Sequence, residues 1–239
     1  MNYDDLAIEI DTIPFDEEGI QKNLTCLLKH AKYLEGRTDI ADSFARGLLD
    51  SATPFIRKQI ARLQLHTDEE PDIIAWVSRS LMELFFMLRY MCTSAERYDE
   101  VIKEQLKDLK QIEDTIIGSG GTLPRGQQEG AALFHRDMRR LWEAMSEYGI
   151  GRDELKAPSP ARHYAEGARL MADYTRLWKI HSKYVHPTAY LLFGRVGFVY
   201  GQEVKKFFWV LAQYFTARNL RELYRMIEAV PVTCEGTVE

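Results

Sequence analysis

The chain has 239 residues, 46% hydrophobic and 28% charged, and a formal net charge of -5. That composition supplies a core for one large domain or two small ones and excludes a disordered chain or a fibre; with no apolar run near about twenty residues and no basic-then-apolar start, neither a membrane span nor a signal peptide is expected, and a cytosolic (cytoplasmic) protein is. Seven of the 36 acids and no Lys or Arg fall within residues 1–18, leaving 29 acids against all 31 bases, so an almost neutral body, too weakly basic for a general nucleic-acid surface, carries an acidic leader.

In the leader, Leu6, Ile8 and Ile10 alternate with Ala7, Glu9 and Asp11, the period of a half-buried strand. Such an arm pairs with the same arm of a second chain, lies in a helical groove, or is an ordered coil. Ile20, Leu24, Leu27, Leu28 and Ala31 then recur at three- and four-residue spacings, predicting an amphipathic helix over residues 17–35. A second helix is predicted over 39–65, kinked or broken near Ala52 because Pro54 lacks an amide proton. Thr67, Glu70 and Pro71 form a start signal for a strongly apolar helix over 70–92, and Thr93 with Glu96 opens a more polar one over 95–117.

The segment Gly118–Gly126 reads as a mobile loop and lacks the Lys-Ser/Thr ending of a phosphate-binding loop. A helix follows over 127–148. Ser159 and Pro160 introduce another over 160–181, and two more are predicted over 200–217 and 219–229, the last capped by Asn219 with Glu222 three residues on. The expected fold is all-α: a single bundle-like domain of seven or eight helices over 17–231, divisible at 118–126, preceded by an extended arm over 1–16 and followed by a tail over 232–239.

Two groups of residues suggest chemistry. Arg79 and Glu83 lie one turn apart on the apolar helix, so burying it buries part of an ion pair. Further on, Leu170, Tyr174, Leu177 and His181 share a stripe that puts His181 on an apolar face, where its imidazole needs a partner; Glu83 is the carboxylate expected to supply it. The bland reading of this set is a clasp between two helices. A metal site is not expected, since neither H-E-x-x-H nor E-x-x-H occurs, and no cofactor is implied. Cys26, Cys92 and Cys234 read as reduced thiols.

Arg176-Leu177-Trp178-Lys179-Ile180-His181 resembles the R-x(4 to 6)-H signature of the HEPN superfamily of helical proteins. That resemblance implies a metal-independent endoribonuclease of a defence, toxin or stress system, with RNA as its partner, a cleft closed between two protomers of a homo-oligomer, Arg176 clamping phosphate, and His181 or His186 moving the proton. The Arg79–Glu83 helix with Ser182-x-x-x-His186-Pro187 is also similar to a family of helical bacterial proteins of unknown function, over about residues 70–215. In an unbroken helix Arg176 and His181 stand about 140° apart, so convergence requires unwinding around Lys179–Ser182. The alternative for Arg176 is the last rung of a solvated ladder of Arg162, Glu166, Arg169, Asp173 and Arg176. Arg136, Arg139 and Arg140, and the basic residues from Arg195 to Arg225, add modest positive surface; Phe207, Phe208, Trp209, Tyr214 and Phe215 read as core or a dimer seam.

Overall fold

The computed structural model describes Leu6 and residues 9–65, 71–119, 125–147, 161–185 and 202–229, and these form eight α-helices with no strand among them. They are α1 (Glu17–Glu35), α2 (Ser43–Leu65), α3 (Pro71–Met91), α4 (Ala95–Ser119), α5 (Arg125–Glu147), α6 (Ala161–Gly167), α7 (Met171–Val185) and α8 (Gln202–Ala229). The fold is all-α. It comprises two compact units, Met1–Tyr90 with Tyr164–Glu239, and Met91–His163, so the division falls at the end of α3 and within α6, and the Gly-rich segment belongs inside the second unit.

Of the readings open for the arm, a strand does not reach its end: Ile10–Thr12 makes a turn of 3-10 helix, with Ile10 exposed and Leu6 and Ile13 buried. The chain after it lies against α8: the Gln213 side-chain amide donates to the Pro14 carbonyl at 3.0 Å, and the Lys206 ammonium sits 5.6 Å from the centre of the Phe15 ring. The remainder of the predicted strand, and the tail over 232–239, lie outside the described residues. Asp16 then starts α1 by accepting from the Gly19 amide at 2.8 Å, with Glu17 and Glu18 favourably placed in the first turn of the helix dipole.

The stripe of α1 buries Ile20, Leu24, Leu27, Ala31 and Leu34, and His30 joins it. α1 packs on α2 and α8, and α2 also packs on α8. Asp42 caps α2 through the Ala45 amide at 2.7 Å, setting its start at Ser43. Pro54 does not break this helix, which runs unbroken to Leu65; the carbonyl a proline leaves without a donor is that of residue 50, here an exposed Asp that water can serve. Pro71 opens α3, as its position predicts; Thr67 and Glu70 lie outside the described residues.

Two predicted boundaries are corrected by backbone chemistry. The single helix over 160–181 is two helices, α6 and α7, divided by Arg169 at φ 60°. The Arg169 amide bonds the Glu166 carbonyl at 3.0 Å and the Leu170 amide bonds the Ala165 carbonyl at 2.7 Å. This pair of bonds is the Schellman stop, with an arginine where glycine is usual. Conversely, the two final helices are one, because Asn219 is buried in mid-helix, where its side-chain nitrogen donates to the Leu81 carbonyl of α3 at 2.9 Å.

In the first unit α7 runs antiparallel to α3, pairing Phe86 with Tyr174 and Ser78 with His181. α8 closes over both, with Phe208 against His181 and Tyr184 and Phe215 against Phe85 and Phe86. Phe208, Trp209 and Phe215 are thus core, whereas Phe207 is exposed and Tyr214 half-buried.

In the second unit α4 packs on α5 around Glu113, whose carboxylate meets His135 Nδ1 at 2.9 Å and accepts from Trp142 Nε1 at 2.8 Å. Arg136, Arg139 and Arg140 are exposed on α5.

Candidate functional site

His181 is fully buried on α7. Its Nδ1 lies 2.7 Å from the Leu177 carbonyl, which can only accept, so Nδ1 carries the proton and Nε2 accepts from the Ser78 hydroxyl at 3.0 Å. Burial lowers its pKa to about 4, the proximity of the Arg79 guanidinium acts in the same direction, and the Leu177 carbonyl opposes them. The imidazole is therefore neutral at physiological pH, with both nitrogens engaged.

The partner of His181 is thus Ser78 and not Glu83. Helical geometry gives the reason: Ser78 and Glu83 stand about 140° apart on α3, so when Ser78 faces α7 and the core, Glu83 turns outward. Glu83 instead accepts from Arg79 Nε at 2.9 Å, and the Arg79 guanidinium lies 4.9 Å from the centre of the Trp178 ring. This ion pair is half-buried. Arg62 likewise stacks 4.7 Å from the centre of the exposed Trp76.

Arg176 is exposed on the same unbroken α7. The unwinding that would bring it to His181 does not occur, since helix continues through Lys179–Ser182 to Val185. Ser182 turns its hydroxyl back onto the Lys179 carbonyl at 3.0 Å. His186 lies outside the described residues. The charge ladder is interrupted at Arg169, and no ion pair joins Arg162, Glu166, Arg169, Asp173 and Arg176 to one another.

A row of polar groups lies along α8, of which the sequence marked only Asn219 and Glu222, as a cap signal. Gln213, Thr216, Asn219 and Glu222, three residues apart, are all buried. Glu222 is held by two arginines, accepting from Arg89 Nη1 of α3 and from Arg225 Nη1, both at 2.9 Å. Arg89 therefore reaches across to α8. The spacing of Asn219 and Glu222 had the form of a cap signal, which concealed their burial. His30 of α1 meets the Tyr224 hydroxyl at 3.0 Å.

Among the described residues no three His, Cys, Asp or Glu side chains gather as metal ligands, and no helix is long and apolar enough to cross a membrane. Among the described residues Cys26 and Cys92 form no disulfide; Cys234 lies outside the described residues. The chain matches no known family model, no curated protein and no solved structure.

Proposed function

We propose that this is a non-catalytic helical interaction or regulatory protein whose first unit is tied together by a buried polar clasp. The observation that carries the reading is the state of His181: buried, neutral, and with each ring nitrogen committed to a neighbour. A general base must reach the proton it removes, and both the position and the lowered pKa of this imidazole act against that role. Arg79 adds to the clasp at its edge, because its guanidinium lies over Trp178 of α7 while its Nε donates to Glu83. The exposed side chains of Leu65 and Trp76, the latter with Arg62 stacked on it, support an interaction role, because Trp and Arg contribute heavily where protein surfaces meet.

The test is RNA cleavage in chelator by purified protein, on structured and single-stranded RNA, beside Arg176→Ala, His181→Ala and His186→Ala. Intact RNA in every lane, or residual cutting shared by all variants, is the expected result. Cleavage by the wild type that is lost in Arg176→Ala and in either histidine variant would overturn it. Such a loss would favour the HEPN-like ribonuclease, with its RNA partner and its homodimeric cleft.

A further inference from the structure

We propose that the seam between α3 and α8 binds a small phosphorylated ligand through Arg89, Arg218 and Arg225. The site is separate from the His181 clasp.

Its foundation is Glu222, a carboxylate only 2% exposed that holds one guanidinium on each oxygen. Those guanidiniums reach the surface: the Arg89 and Arg225 side chains are 39% and 49% exposed. Each has five N–H donors, and the contacts above use one from each. One turn earlier on both helices, Arg218 of α8 lies against Phe85 of α3, its guanidinium carbon 4.9 Å from that ring centre and 5.6 Å from the Tyr214 centre. Ring stacking orients the planar group and leaves its N–H edge available, and among the described residues no carboxylate pairs with it.

The charge count then decides the ligand class. Residues 85–91 and 214–225 contain a single carboxylate, Glu222. The same stretches hold four arginines, Arg89, Arg218, Arg221 and Arg225; the three ordered guanidiniums of Arg89, Arg218 and Arg225 alone exceed that one carboxylate by two positive charges. An exposed lysine would lose much side-chain freedom on binding an anion; these arginines are already ordered by Glu222 and by the rings. Guanidinium forks match the oxygens of a phosphoryl group bidentately, and a doubly charged phosphate ester or a diphosphate meets the excess charge better than a single carboxylate.

The experiment is calorimetric titration of the full chain with inorganic pyrophosphate at low salt, with a single-stranded oligoribonucleotide in a parallel arm. The wild type is expected to bind one pyrophosphate saturably, and Arg218→Ala and Arg225→Ala each to weaken binding about tenfold or more. Arg218→Ala leaves Glu222 with both its partners, so a folding failure at Glu222 cannot mimic its effect; Arg136→Ala, on the exposed face of α5, should bind as the wild type does. No saturable binding, or binding indifferent to Arg218 and Arg225, overturns the site. Tighter binding of the oligoribonucleotide, lost in the same variants, overturns the small-ligand assignment.

Discussion

At single residues, the backbone sets requirements that composition does not display. Gly19 sits in the first turn of α1, where alanine would ordinarily raise helix propensity by about 1 kcal/mol. A Cβ at this position would fall 2.6 Å from Pro14 Cβ, and the proline ring cannot yield as a flexible side chain would. Gly19→Ala should therefore lower stability despite its propensity. Arg169 is the opposite case: at φ 60° an L side chain is strained and glycine is not. Arg169→Gly should raise stability by about 0.5–1 kcal/mol, less the flexibility that glycine adds to the unfolded chain. Denaturant unfolding of both variants checks the two signs, and a stabilised Gly19→Ala would show that Pro14 does not constrain α1.

Between elements, the depth of each charge determines its energetic weight. Glu83, first expected to be a buried member of the clasp, has a side chain 33% exposed and pairs along its own helix. Removing it with Glu83→Ala should cost no more than about 1 kcal/mol, the range of solvent-accessible pairs. Glu222→Ala empties a buried position and removes two charge-assisted hydrogen bonds, and because both arginines reach the surface and can be solvated there it should cost about 1.5–3 kcal/mol. Equal losses for the two variants, measured by urea unfolding, would contradict this ranking. The sequence made the helices legible because their apolar stripes, the Asp16 start and Pro71 are local signals. It did not reveal the stop at Arg169, since the signal there is a backbone angle and the residue is not glycine. It placed a false stop at Asn219, because an Asn followed three residues later by Glu looks alike whether it caps a helix or is buried within one. The burial of His181 was readable from its stripe; the identity of its partner depended on the rotation of α3.

For the whole molecule, the clasp links the stability of the first unit to pH. His181 has a folded pKa of about 4 against an ordinary value near 6.5, so between these values the unfolded chain binds a proton that the folded chain refuses. Its stabilising contribution is complete above about pH 6.5, declines as the pH falls, and stops changing below about pH 4. The span corresponds to about 3 kcal/mol. His181→Gln should flatten the part of the stability profile between pH 7 and 5 that this residue causes, and an unaltered slope would assign it to other groups. The most direct measurement is an NMR titration of the His181 ring in the folded protein. The imidazole should remain neutral, protonated on Nδ1, from pH 8 down to about pH 5. A midpoint at or above 6.5 would contradict the buried clasp and restore His181 as a candidate acid or base.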